Sequence, residues 1–380
     1  MSGPVLMVRE RNVNGSFLSA CRGVLAIVVC FAHTWQKIVS PQFGNYGWEH
    51  AIFGLSARIA VDMFYVLSGW VIYHSISSNI GRFGRFNPFD WYENRSFRIL
   101  PPLLVSVAIA SVIFIVVRGF HMDRVPSPYR IEPFIYSYRP HHVAGSILTF
   151  GFFGNLTGGV NGPLWSLEIE MQLYFLACVC VCAFQRSKLA LVILLVAIVY
   201  RTSLDANFLL GYGSFLFGFA ASWLYERNPG RNRYDRLIAV VSVLLMGVAV
   251  FWMFFAYAVD VTYLDRLAEW RSVFTQLVLS FGFAAYLYKG VADHPFPFEE
   301  TGKFSYTLYI IHFPILIFIS YIYYRVFDIL DNIPFMCVLF AISAGLCILV
   351  AWRISMWVEN PKEQKLWFNM HVRKWRERLV

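Results

Sequence analysis

Residues 17–39 read FLSACRGVLAIVVCFAHTWQKIV. A run of this length crosses a hydrocarbon layer of about 30 Å once as a helix. It is too long for the apolar part of a cleavable leader, and it carries Arg22 and His33. It therefore reads as a retained first span behind a short basic segment, residues 1–16. The same pattern recurs at 52–74, 100–119, 163–184, 188–204, 207–225, 236–258, 271–290, 304–326 and 334–358. Ten such stretches predict an all-α polytopic membrane bundle, with domain bounds 1–16, 17–358 for the membrane domain and 359–380 for a basic tail.

Composition agrees. Of 380 residues, 58% are hydrophobic and 14% charged, against about 25% charged in an ordinary soluble domain. That excludes disordered, collagen-like and disulfide-rich secreted classes, and leaves too little polar surface for a soluble enzyme. The seven cysteines all lie inside apolar runs without a CxxC pair, so neither a disulfide framework nor a zinc site is expected. The net charge of +9 is concentrated in short segments between apolar runs, the distribution of a topology signal rather than of a nucleic-acid footprint. With the N-terminus placed inside, the inner segments hold twenty Lys and Arg and the outer segments ten. This predicts both termini in the cytosol. The segment 120–162, rich in Pro, Gly, His and Tyr, is the longest gap. Its apolar piece 143–156 is too short to cross and reads as re-entrant or interfacial, and its arginines and histidines suit contact with an acceptor on the outer side.

Ionisable groups inside spans are costly, about 2.5–3.5 kcal/mol each on insertion scales, and so are functional candidates. Arg22 and His33 stand eleven residues apart. On a helix that returns to nearly the same face, about 16 Å further along the axis. A cation and an imidazole on one stripe suit a long ligand lying along the helix. A snorkelling arginine and a hydrogen-bonded packing histidine would give the same spacing. The second span, RIAVDMFYVLSGWVIYH (58–74), places Asp62 one turn after Arg58, spaced for an ion pair, and Ser68-Gly69 where a neighbouring helix can approach closely. Arg95 and Arg98, in FDWYENRSFRILPPLL, stand at the inner face before a Pro-initiated span. They suit bidentate phosphate binding, or positive-inside anchoring. In NGPLWSLEIEMQLYF (161–175), Glu168 and Glu170 lie on different helix faces, so one is expected in the bundle interior and the other at a rim. Tyr306, Tyr309 and His312 share a face in FSYTLYIIHFPILIF, just before Pro314, and Glu359 marks the inner end of the last span. No Walker A, GxSxG, HExxH or dinucleotide fingerprint is present.

Taken together these residues resemble the acyltransferase 3 family, integral-membrane O-acyltransferases of glycans. Arg22 and His33 match its Arg-x10-His pattern. Val61, Asp62, Phe64, Leu67, Ser68 and Gly69 resemble its VDxFFxxSGF stretch, and Arg95, Arg98, Ile99 and Pro101 its RxxRIxP stretch. Leu164, Trp165, Ser166, Leu167, Glu170 and Tyr174 fit LWSLxxExxxY. Ser305, Tyr306, Leu308, Tyr309, His312 and Pro314 fit SYxLYxxHxP, and Glu359 with Pro361 fits the terminal ExP. The likeness covers about residues 15–362. Ser19 stands where the family often has an acidic residue, and Trp70 where Phe is common.

The resemblance implies an O-acetyltransferase of the stand-alone type, in a bacterial inner membrane. It would move an acyl group, usually acetyl, from acyl-CoA to a sugar hydroxyl of a glycan or glycolipid, with no metal and no nucleic acid. Arg95, Arg98 and Arg22 would hold the phosphates of acetyl-CoA, Arg22 would also act in catalysis through contact with the thioester, and the arm of acetyl-CoA would run along the first-span stripe. His33 would be the general base, or alternatively a covalent acyl carrier. Glu170 or Asp62 would orient it, and Ser68, Trp165, Tyr309 and His312 would support substrate. Ionisable groups in mid-bundle also suit a secondary transporter or flippase of a glycan, which would consume no acyl-CoA.

Overall fold

The opening stretch forms one helix because nothing in it stops one: no proline interrupts residues 15–39, and small residues alternate with long apolar ones. α1 (Gly15–Thr34) passes directly into a five-residue π-helical turn, Trp35–Val39, and the short α2 (Ser40–Phe43). The computed structural model describes residues 15–43, 47–120, 140–148, 156, 161–228, 234–267, 269–290, 297–326, 333–360, 362–367 and 370. The described residues are overwhelmingly helical and contain no strand. After α2 come α3 (Trp48–Phe83), α4 (Pro88–Gly119), α5 (Pro140–Leu148), α6 (Trp165–Arg186), α7 (Lys188–Leu204), α8 (Ala206–Arg227), α9 (Asp235–Val259), α10 (Trp270–Gly290), α11 (Ser305–Val326) and α12 (Ile333–Val358).

All ten expected stretches are helical, so the fold is the all-α polytopic bundle. Among the described residues, eight helices are long and apolar enough to cross a membrane. The other two have physical reasons to differ. α7 has only 17 residues. α10 is diluted by Ser272, Thr275, Gln276 and Ser280, which are buried and turn inward rather than toward lipid.

α3 and α4 are much longer than their apolar cores, at 36 and 32 residues. At 1.5 Å per residue they reach about 54 and 48 Å. Hydropathy marks where lipid lies, whereas capping marks where a helix ends. Gly84, at φ 70°, terminates α3. The Asn87 side chain accepts from the Asp90 amide and Pro88 occupies the first turn of α4. Asn79 clasps the turn, donating to Asp90 at 3.1 Å and accepting from the Asn87 amide at 2.8 Å. The Pro-initiated start expected at residue 100 is therefore corrected to residue 88, and the helix runs through Pro101 and Pro102.

α3 packs along α8, where two glycines bring the backbones together. A Cβ on Gly69 would stand 1.9 Å from the Phe215 carbonyl oxygen, and one on Gly218 would stand 1.9 Å from that of Val66. α1 is clasped by α3, α11 and α12, and by the 3-10 turn Glu299–Lys303. α9 and α12 present large apolar side chains such as Leu244, Phe251, Ile342 and Leu349 outward, as lipid-facing helices do.

The two glutamates of α6 separate as their spacing requires. Glu168 accepts from Ser146 Oγ at 2.7 Å and from the Leu156 amide at 2.5 Å. It thereby holds α5 against the bundle, where Val143 and Leu156 join the core. Glu170 faces the interior. Removing a charged acceptor from buried donors costs about 1–3 kcal/mol, so Glu168→Ala is expected to release α5 locally. Hydrogen exchange at residues 140–148 should accelerate while the remaining helices keep their protection. Unchanged protection at α5 would show that packing alone holds it.

Candidate active site

α1, α3, α4, α6 and α11 enclose a cavity of about 100 Å³. At one end it is lined by Arg22, Arg95, Arg98 and Glu359. The beginning of α1 and the end of α12 therefore lie at the same end of the bundle. The side walls are apolar, with Val61, Phe64, Leu67, Val71, Ile99 and Leu167. Its far end is formed by Ser166 and Tyr309, whose hydroxyls are in contact.

Each charged group is placed by a local device. Arg95 is 8% exposed and sits between the rings of Trp91, at 5.9 Å, and Tyr174, at 5.8 Å. Those ring faces offset part of the cost of burying a guanidinium. Glu170 supplies the opposite charge, and it accepts from Ser68 Oγ and Tyr174 OH. Tyr174 follows Glu170 by four residues, so one helix turn builds both ring and carboxylate. Glu359 reaches back to accept from the Thr307 amide at 2.7 Å, satisfying a free N–H in the first turn of α11. Burial pushes the Glu359 carboxyl above the ordinary glutamate range, opposed by the Thr307 hydrogen bonds and by the positive charges of Arg98 and Arg22.

His33 and His312 lie beyond the far end, not on the cavity wall. The His312 ring is 6.2 Å from that of Tyr309. His33 Nδ1 is 2.8 Å from His312 Nε2, with the rings nearly parallel at 11°. His312 Nδ1 is 2.9 Å from the Leu308 carbonyl oxygen, which can only accept. In the neutral pair, therefore, His312 carries its proton on Nδ1 and accepts at Nε2. His33 must then donate from Nδ1, and its Nε2 is left with a lone pair. This corrects the expectation that Asp62 or Glu170 orients His33: its partner is His312. Glu170 is engaged by Ser68 and Tyr174. Asp62 is fully buried 3.7 Å from Arg58.

Of the residues expected at the site, Arg22, Ser68, Arg95, Arg98, Glu170 and Tyr309 line the cavity. Asp62 and Trp165 belong instead to a neighbouring polar cluster. There Arg58 packs 5.4 Å from the Trp165 ring and donates to Gln276 at 2.5 Å and to Asn207 at 3.1 Å. The ion pair expected of Arg58 and Asp62 is present. Sequence reasoning passed over Asn207 and Gln276, although an amide inside an apolar run is itself a signal of interior polar contacts. Among the described residues no group of three His, Cys, Asp or Glu could hold a metal ion. The gap 120–162, proposed above for acceptor contact, falls mostly outside the described residues.

A family model described as an acyltransferase domain, Acyl_transf_3, matches residues 16–352. The chain is also 24% identical over 162 residues to Nodulation protein 10 of Rhizobium leguminosarum bv. viciae, an alignment covering 39% of this chain and 39% of that protein. No solved structure matches.

Proposed function

Because the chain belongs to the acyltransferase 3 family, we propose that this membrane acyltransferase moves an acyl group, in the simplest case acetyl, from acyl-CoA to a hydroxyl of a glycan or glycolipid. The proposed setting is a bacterial inner membrane, with both termini in the cytosol, a membrane domain over residues 17–358 and a basic tail after it. The observation that supports this reading is the polarity of one cavity and what lies past its far end. Three arginines gather at the end where the chain's first and last helices meet, and an imidazole pair lies beyond the other end.

The residues support a sequence of roles. Arg22, Arg95 and Arg98 present planar, permanently charged forks of the kind that bind phosphate. An acyl-CoA held there by its phosphates would extend its arm between the apolar walls and bring the thioester toward Ser166 and Tyr309. Those two hydroxyls are the donors nearest to where a thioester oxygen would gather negative charge. The sugar oxygen attacks the thioester carbonyl carbon and the carbon–sulfur bond breaks. The hydroxyl proton passes to His33 Nε2 and from there to the departing CoA thiolate. His312 holds the other nitrogen of His33 throughout, as the orienting member of a catalytic pair does. For this to occur the Ser166–Tyr309 contact must open toward His33.

The test is transfer of labelled acyl groups from acyl-CoA by the protein in vesicles, together with mass spectrometry of cellular glycans with and without the gene. Removing one charged hydrogen-bond donor costs about 1.5–3 kcal/mol. Arg98→Ala is therefore expected to raise the donor KM by about 10- to 100-fold, with a smaller change in kcat. Glycans unaltered by loss of the gene, with no consumption of acyl-CoA, would discard the acyltransfer reading in favour of glycan transport.

A further inference from the structure

α11 carries Pro314, which has no N–H to give the carbonyl of Ile310. Within a hydrocarbon layer a bare carbonyl is expensive, and broken helices there rely on neighbouring side chains. The Ile310 oxygen accepts from Ser106 Oγ of α4 at 2.6 Å and from Asn161 Nδ2 at 2.7 Å. Asn161 Nδ2 also lies 3.1 Å from Ser106 Oγ. Ser106 is 0% and Asn161 3% exposed, so water does not compete. The amide has one workable orientation. The Ile310 carbonyl can only accept, the serine proton is already directed at it, and Asn161 Oδ1 has no partner among the described residues.

Three elements thus meet at a single oxygen. Ile310 stands between Tyr309 and His312 on α11. Asn161 immediately precedes the buried 3-10 turn Gly162–Leu164, which delivers Ser166. The bond from Asn161 fixes these two strings of residues against each other at the point where proline loosens the helix. We infer that Asn161 is a positioning residue, which sets His312 against His33 and Tyr309 against Ser166 by joining Ser106 in replacing the hydrogen bond that Pro314 withholds. Its importance for catalysis rests on the role proposed above for the histidine pair, whereas its effect on the geometry does not.

Two measurements on the full-length protein test this. In nitrogen-15 histidine spectra, Asn161→Ala is expected to shift the ring resonances of His33 and His312 and leave that of His74, at the opposite end of α3, in place. In acyl transfer, a misplacement of this kind lowers kcat by about 100-fold, with donor KM held within about two-fold because the arginines are untouched. Asn161→Asp keeps the volume but turns an acceptor toward the carbonyl; it supplies the same readings if the alanine variant accumulates poorly. In a Pro314→Ala background the helix regains its own N–H, so Asn161→Ala should add little to whatever loss that background shows. Unchanged histidine resonances, or full and independent losses from both substitutions, would overturn the inference. A wild-type protein without acyl transfer whose resonances still shift in Asn161→Ala would keep the positioning role and discard only the enzymatic reading.

Discussion

His33→Ala is expected to reduce acyl transfer by about 10²- to 10⁴-fold, the range that a positioned general base contributes, while protein level in the membrane stays normal. The loss should fall on kcat, because the groups proposed to hold the donor's phosphates lie about three helical turns away on α1 and on α4. His312→Ala is the companion experiment. It leaves His33 free to adopt either tautomer, so activity should drop less far than in the His33 variant. The double variant should be little worse than His33→Ala alone, as for residues that act as a unit. A His33 variant with wild-type kcat would remove the base and leave the arginine cavity as a binding site without its chemistry.

The second large effect concerns stability. Gly218→Ala places a methyl group only 1.9 Å from the Val66 carbonyl oxygen. The atom in the way is backbone, so relief requires α3 and α8 to separate along their whole crossing. Overpacking of a well-filled interface typically costs about 1–3 kcal/mol, and a rigid backbone obstacle belongs at or above the upper end of that range. The expected result is a lower midpoint of thermal unfolding in detergent and a reduced folded yield. Gly218 does not line the cavity, so protein that does fold should keep its donor KM. Gly69→Ala meets the same obstruction from the other helix, at the Phe215 carbonyl, and it also displaces Ser68, which donates to Glu170. It should therefore reduce both stability and catalysis. A Gly218→Ala protein that melts like the wild type would mean that the two helices slide past the contact at no cost.

What the sequence made legible follows from which interactions are local. Ten apolar stretches announce ten helices because bilayer thickness sets a length that can be read directly. The periodicity that put Arg22 and His33 on one stripe, and Tyr306, Tyr309 and His312 on one face, needs only helix geometry. The separation of Glu168 from Glu170 is equally local, and the two do face different surroundings. The partner of His33 was beyond reach for the opposite reason: His312 lies on α11, and no spacing rule links the two helices. Pro314 announces a freed carbonyl in advance, but not that Ser106 and Asn161 will meet it. The lengths of α3 and α4 were missed because their outer turns are polar, stabilised by the clasp of Asn79, Asn87 and Asp90 rather than by lipid.

The contact between Ser166 and Tyr309 has a consequence for the cell's energy supply. The arginine-lined cavity ends at these two hydroxyls, and neither His33 nor His312 lines it. If the proposed donor parts these hydroxyls only while it is bound, the contact closes again between turnovers and keeps ion gradients across the membrane from discharging. Widening that constriction, for example with Tyr309→Ala, should make vesicles containing the protein leak protons.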